Sequence, residues 1–532
     1  MPTLTWVGKD KVVNHHHEVP FRVLNQQYRF DAPADKPANS TNNRIIHGDN
    51  LEVLKSLLPE FEGKVNCIYI DPPYNTGNEG WVYNDAVNDP KIKKWLGQVV
   101  GKEGEDLSRH DKWLCMMYPR LKLLHRLIAT NGVIFVSIDD NEMATLRLLM
   151  DEIFGAGNFI ATIAWQRRIS PDSRLGLSQA HDHIIVFAKN RSMLELHPIP
   201  LSAQQTNGFK NPDKDVRGAW VSTDFTAQGW RPNQMYEIST PGGEVFLPPR
   251  GRCWANIESV FQQLLNEGRM WFGKDGKGRP RVKTYLSEST GVSAWTWWTN
   301  EECGHNQEAK KEIIEILGHD LPFDTPKPTR LIERILQIAS NSDSIILDSF
   351  AGSGTTAHAV LKLNQQDGGK RRFILIEAMD YAETLTAERV RRVMGGYGEG
   401  SKAVAGLGGS FDFYNVGEAL FLPDENLNEA VGIAAIRDYV AYTEGIPVSD
   451  RCAQDNPYLP HLLGLNTEMA WIFNYETDSV TVLDLNYLAG IKLGAAKPAT
   501  AIIYADRCLL DDAFMRQHGI SFKKIPRDIT RF

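Results

Sequence analysis

Between Arg44 and about Phe187 the chain alternates two patterns: short runs that are apolar at nearly every position, and longer stretches whose apolar residues recur every three or four. The runs RIIHG (Arg44 to Gly48), VNCIYI (Val65 to Ile70) and GVIFVSI (Gly132 to Ile138) predict strands buried on both faces, as parallel strands covered by helices are. NLEVLKSLL, DKWLCMMYPRLKLLHRLIA and NEMATLRLLMDEIFG predict helices, and in the second Trp113, Met117, Leu121, Leu124 and Ile128 share one face. From about Arg191 to Pro322 the alternation lapses into a stretch rich in Gly, Pro, Asn and Trp. It resumes with PTRLIERILQIA as helix, SIILDSF as strand, TTAHAVLKLN as helix and RFILIE as strand. The pattern predicts one doubly wound α/β sheet in two halves, 44–190 and 323–400, split by an inserted module, 191–322. Residues 1–43 read as a leader, and glycines around Gly400 mark the start of a smaller α/β module, 401–532.

The length of 532 residues agrees with several domains rather than one core. No apolar run is long enough to span a bilayer and no secretory signal opens the chain, so a cytoplasmic, membrane-free protein is expected. The six cysteines are dispersed without zinc spacing, which predicts reduced, structural thiols and no metal centre; His15 to His17 read as solvated surface. The net charge of −8 hides an asymmetry. Residues 163–300 hold 17 Lys and Arg against 12 Asp and Glu, whereas 401–532 hold 11 against 17. A polyanion would therefore meet the middle of the chain.

Two strand ends carry candidate chemistry. IDPPYNTG closes the run Val65 to Ile70 with an acid, two prolines and a tyrosine; the prolines fix φ and remove donors, so the chain leaves the sheet in a stiff loop. LDSFAGSGTTAHAV ends a strand at Asp348, turns at Gly352 and Gly354, and opens a helix at Thr355. Such a turn lets backbone approach a ligand and aims helix N–H groups at it. The next strand ends in Glu377, where a carboxylate can hold ribose hydroxyls. No lysine precedes Thr355, so the turn is not a P-loop, and the third glycine of a nicotinamide fingerprint is missing. S-adenosylmethionine fits the loop better; a plain strand-turn-helix corner is the alternative. SIDDNE (Ser137 to Glu142) offers three acids for magnesium, but a turn and helix start account for them equally well.

With both loops at the carboxyl edge of one sheet, the chain resembles the amino-group DNA methyltransferases of the β arrangement, in which the catalytic loop precedes the cofactor loop. HGDNLEVL, DPPYNTG with WVYND (Trp81 to Asp85), WLCMMYPRLKLL, GVIFVSIDDNE, EIFGAGNFIATIAWQRR, KPTRLIERIL and KKIPRDITRF resemble the modification (Mod) subunits of type III restriction systems. The resemblance implies a Rossmann-like, S-adenosylmethionine-dependent methyltransferase fold with an inserted target-recognition module. It implies methylation of adenine N6 in DNA, the aspartate of DPPY favouring adenine over cytosine N4. The target base would be flipped out of the duplex. Asp71, Pro72, Pro73 and Tyr74 would then be catalytic. Asp49, Asn50, Asp348, Phe350, Ala351, Gly352, Ser353, Gly354, Thr355, Glu377, Lys327 and Thr329 would bind the cofactor, with helix capping as the alternative for Asp49. Arg167, Arg168 and Arg174, together with Lys277, Arg279, Arg281 and Lys283, are candidates for DNA contact. Of the seven tryptophans at 220, 230, 254, 271, 295, 297 and 298, most read as buried structure. A homodimer and a separate restriction (translocase/nuclease) partner, docked through the C-terminal module, are the expected assemblies. A DNA-recognition subunit in which methylation is secondary is the competing reading.

Overall fold

The computed structural model describes residues 3–76, 109–171, 176–319, 323, 325–456 and 459–527. The expected motif Trp81 to Asp85, Arg174 and the last five residues lie outside them. Contacts divide the chain into two compact units, one of residues 1–196 and 295–532, the other His197–Ala294.

The larger unit is built on one ten-stranded sheet. Its strands are β1 (Arg22–Asp31), β2 (Asn43–His47), β3 (Val65–Ile70), β4 (Ile128–Ile138), β5 (Phe159–Gln166), β6 (His181–Ala188), β7 (Trp297–Trp298), β8 (Ile345–Asp348), β9 (Arg372–Glu377) and β10 (Ser410–Ala419). They lie in the order β1-β10-β2-β9-β8-β3-β4-β6-β5-β7. The six from β10 to β4 are mutually parallel, β1 pairs antiparallel with β10, and β6 runs antiparallel between β4 and β5. This is the Rossmann-like, doubly wound α/β arrangement that the alternation of strands and helices predicts. β8, from late in the chain, inserts beside β3, from early in it: Ile346 pairs with Cys67 and Leu347 with Ile68. Ligands of doubly wound sheets bind at the carboxyl ends of strands where the order reverses, and that edge here carries both the DPPY and the FAGSG loops.

Helices α1 (Asn50–Phe61), α2 (Arg109–Leu127), α3 (Met143–Met150), α4 (Thr329–Ala339), α5 (Thr355–Asp367) and α6 (Glu388–Gly395) accompany the sheet. α2 buries Trp113, Met117, Leu121 and Leu124 as the periodicity predicts, but it stops at Leu127, and Ile128 already belongs to β4. α3 passes into a π-helical turn, Asp151–Gly155.

Residues 1–43 are not a detached leader. They supply β1, whose Tyr28 stacks on Phe413 with ring centroids 5.1 Å apart. His16 is buried rather than solvated, and its carbonyl accepts a 3.0 Å hydrogen bond from Lys55 Nζ. The boundary at 401 also cuts through structure, since β10 is a strand of the main sheet; beyond it Leu462–Leu465, Met469–Phe473, Thr500–Ala505 and Ile520–Lys524 form a four-stranded sheet. The second unit is narrower than 191–322, because the chain rejoins the main sheet at β7. It holds a three-stranded antiparallel sheet and a small aromatic core of Phe225, Trp254, Phe261 and Phe272. Of the seven tryptophans, Trp220, Trp254 and Trp298 are buried, whereas Trp230, Trp295 and Trp297 are exposed.

Candidate active site

The loop after β3 is held at two points. Trp113, on α2, donates its indole N–H to the carbonyl of Pro73 at 2.7 Å in a buried bond. Asn75 takes a left-handed backbone, φ 57°, which asparagine tolerates, and its side-chain amide donates to Oε1 of Glu142. Glu142 is fully buried at the start of α3, where His110 Nδ1 lies 2.7 Å from the same oxygen and Thr145 donates to the other. One acid of SIDDNE thus anchors the DPPY loop, and Asp139 accepts hydrogen bonds from the backbone and side chain of Asn141 at 3.0 and 2.7 Å.

Asp71 begins this loop. Lys327 donates its ammonium to Asp71 Oδ2 and lies 5.0 Å from the centre of the Tyr74 ring, a cation–π contact. Oδ1 of Asp71 and the hydroxyl of Tyr74 are both buried, and the Asp71 carboxylate lies close enough to act on the Tyr74 phenol by charge and hydrogen bonding. Burial first, and the Asp71 charge second, hold the Tyr74 phenol well above its ordinary range, so it stays protonated.

Across the sheet edge, the loop after β8 is tied down from beneath. Gly352 and Gly354 have φ of 50° and 76°, where a side chain is strained, and a Cβ on Gly352 would meet the Phe323 ring at 3.2 Å. Glu377 accepts from the backbone N–H of Gly352 at 2.7 Å and of Met379 at 3.0 Å. Thr386 donates to the Gly352 carbonyl. Arg389, fully buried on α6, donates to Ser353 Oγ at 3.1 Å, Thr355 Oγ1 at 2.8 Å and Glu312 Oε2 at 3.2 Å. Asp348 accepts from Phe350 N–H and Thr356 Oγ1, and burial pushes its carboxyl up to about 7 despite those bonds.

A cavity of about 580 Å³ opens between the two loops, within the ~300–1,000 Å³ typical of small-molecule sites. Asp71 to Tyr74, Lys327, Asp348, Phe350 to Ser353 and Thr355 line it, so most of the predicted catalytic and cofactor residues come together. Others do not reach it. Asp49 caps α1 through Leu51 N–H at 2.7 Å and faces Arg120 at 3.3 Å; Asn50 donates to the Ser349 carbonyl at 3.0 Å, bracing the loop from behind. Glu377 is spent on backbone amides, Gly354 packs against Thr386, and Thr329 bonds Glu312 at 2.6 Å beneath the loop.

The basic candidates divide likewise. Arg167 is not a free phosphate contact: it lies 3.1 Å from buried Asp182, and both line the cavity. Burial raises the Asp182 carboxyl to about 6, against the pull of Arg167. Lys283 is also withdrawn, buried between Asp213 and Asp215. Arg168, Lys277, Arg279 and Arg281 are exposed, Arg281 bonding the Ser222 carbonyl at 2.7 Å. Sequence reasoning missed Trp113 as a loop anchor, Arg389, Glu142 and the Arg167–Asp182 pair; the last was signalled only by an acid embedded in the apolar run HDHIIVFA.

A Rossmann-like sheet with an acid-proline-aromatic loop facing a Gly-rich loop across one cavity defines the architecture of amino-group methyltransferases. The sequence profile of the DNA methylase family N6_N4_Mtase matches residues 65–388, and the chain belongs to that family. It is 38% identical over 395 residues to the type III restriction-modification enzyme StyLTI Mod subunit of Salmonella typhimurium, a match that covers 70% of this chain and 57% of that subunit's length. It is 32% identical to the type II methyltransferase M.KpnI of Klebsiella pneumoniae over 64% of this chain and 82% of that protein. Among solved structures, PvuII DNA methyltransferase (cytosine-N4-specific) matches at 13% identity with a TM-score of 0.34, covering 67% of this chain and 89% of that one. The Mod resemblance is thereby borne out. No helix among the described residues is long and apolar enough to cross a membrane.

Proposed function

We propose that this chain methylates N6 of adenine at a specific DNA site, within a restriction–modification system. The observation that carries the reading is the convergence of Asp71 and Tyr74 with the Gly352 loop on one cavity. The residues fit S-adenosylmethionine: Gly352, at φ 50°, leaves room in the cavity wall that a Cβ would fill, and the Asp348 carboxyl lines the same cavity for a cationic ligand. Asp348 and Phe350 to Ser353 would hold it, and when bound it supplies an electrophilic methyl group on a sulfonium. An exocyclic amine is a weak nucleophile because its lone pair is delocalised into the ring, so the chain's task is positioning. The Asp71 carboxylate accepts one amine hydrogen, faces the positive charge that grows on nitrogen and is placed to take the proton that the methylated amine sheds; the Pro72 carbonyl accepts the other hydrogen. The Tyr74 ring stacks on the extruded base and offsets part of its lost stacking. The bonds from Trp113 and Asn75 keep these acceptors still. The Lys327 ammonium bonds Asp71 Oδ2 and lies 5.0 Å from the centre of the Tyr74 ring on which the base would stack, so it is expected to yield as the base enters.

The aspartate in DPPY favours adenine over cytosine. The inserted unit, with exposed Lys277, Arg279 and Arg281, is proposed to read the DNA site, and the Mod resemblance favours a homodimer and pairing with a restriction subunit. Methylome sequencing of a host expressing the chain tests base and site together, with Asp71→Ala as the control. Methylation that survives in the variant would remove Asp71 from the mechanism; specific DNA binding without methylation by the wild type would favour the recognition-only reading.

A further inference from the structure

β6 opens with His181-Asp182-His183. Side chains alternate along a strand, so the two histidines share one face and Asp182 takes the other, where it lines the active-site cavity. The histidine face meets Asp140. β4 pairs with β6 through Ile138 and His183, which brings Asp140, two residues past the end of β4, to the imidazoles. His183 Nε2 lies 2.8 Å from Asp140 Oδ1, the His181 and His183 rings are 4.9 Å apart and nearly perpendicular, and one ligand atom from each of the three residues lies within 4.8 Å of the others. Among the described residues this is the cluster of His, Cys, Asp and Glu with metal-binding proximity.

We infer that Asp140, His181 and His183 form a binding site for a divalent transition-metal ion, separate from the proposed transfer chemistry. Two imidazoles and one carboxylate suit zinc or its first-row neighbours; magnesium and calcium favour sites made of oxygen alone. Three protein ligands leave a position for water, and the half-exposed Asp140 keeps the site open to solution. Tetrahedral coordination at 2.0–2.1 Å sets ligand atoms about 3.4 Å apart, so pairs within 4.8 Å have to close by at most about 1.4 Å, a movement that side-chain rotation supplies. Gln179 donates to Asp140 Oδ2 at 2.8 Å, leaving Oδ1 turned to the histidines, the kind of supporting bond that orients a metal ligand. The bland account is a surface hydrogen bond between His183 and Asp140 with His181 beside it; it explains the 2.8 Å contact but gives His181 and Gln179 no common purpose. A metal here would tie the end of β4 to the start of β6. Asp139 and Asn141 on one side and Gln179 and Asp182 on the other all line the cavity, so the tie would stiffen one of its walls.

The test is calorimetric titration of the full chain, stripped with chelator and dialysed, with ZnCl₂, followed by CoCl₂ with visible absorption. The expected result is one saturable equivalent that raises the thermal midpoint, lost in His181→Ala and in the milder His183→Gln, weakened at least tenfold in Asp140→Asn, and unmoved by millimolar Mg²⁺. A four- or five-coordinate cobalt spectrum would accompany it. Binding that persists unchanged in all three variants would move the site elsewhere, to His15–His17 for example, and overturn the inference. So would the absence of a saturable equivalent, or displacement of zinc by magnesium.

Discussion

Trp113→Phe isolates the anchor of the catalytic loop. Phenylalanine keeps a ring in a position that is almost wholly buried but removes the N–H that donates to the Pro73 carbonyl at 2.7 Å. An acceptor left buried without a partner costs about 1–3 kcal/mol, and the smaller ring adds a packing loss of similar order. The urea midpoint should therefore fall by the equivalent of about 2–4 kcal/mol. If the bond also holds the DPPY acceptors in place, the single-turnover rate of methyl transfer at saturating cofactor and DNA should fall about tenfold or more, since ~1.4 kcal/mol of lost positioning is a factor of ten. Trp6→Phe is the matched control: it removes another indole bond to the same helix, from Trp6 Nε1 to Cys115 Sγ at 3.3 Å, away from the loop. It should cost stability and leave the rate within twofold. Equal rates for wild type and Trp113→Phe, with stability lost, would refute the claim that this bond serves positioning.

Three further outcomes follow from the same geometry. The Asp348 carboxyl, raised to about 7 by burial, is protonated below that pH and ionised above it; a cationic cofactor favours the ionised form, so the Kd measured by calorimetry should weaken about fivefold as pH falls from 7 to 6, and Asp348→Asn should flatten the dependence. Arg389→Met removes the buried guanidinium that bonds Ser353, Thr355 and the half-buried Glu312, and should lower stability by about 1–3 kcal/mol in urea unfolding; a loss well below 1 kcal/mol would show that the network under the Gly352 loop is not needed. Lys327→Met removes the ammonium that occupies Asp71, and should tighten binding of DNA whose target base is mismatched by about five- to tenfold, or ~1–1.4 kcal/mol. Weaker binding in that variant would mean that Lys327 serves the bound base instead of yielding to it.

Much of this was legible because parallel strands buried on both faces write themselves as apolar runs. β2, β3, β4, β8 and β9 were all readable in this way, and the two ligand loops follow directly from strand ends at Ile70 and Asp348. β1 was not, because an edge strand exposes one side: RVLNQQYRFD carries the polar residues of a surface and pairs with a strand nearly 400 positions later. The support beneath the site was illegible for a related reason. Arg389 meets Glu312, Thr329, Ser353 and Thr355 from separate segments, and nothing near Arg389 in sequence announces them. Composition misled at Lys283, which sits in a basic stretch but is neutralised by Asp213 and Asp215 about seventy residues earlier. Arg167 misled in the same way, since its partner Asp182 arrives only when β5 and β6 pair.

The most direct test of the central claim is transfer of label from S-adenosyl-[methyl-³H]methionine to DNA by the purified chain, with the product hydrolysed to nucleosides. The reading predicts label in N6-methyldeoxyadenosine for the wild type and none for Asp71→Ala, while the variant binds the same DNA. Label in N4-methyldeoxycytidine, or equal incorporation by the variant, would contradict it.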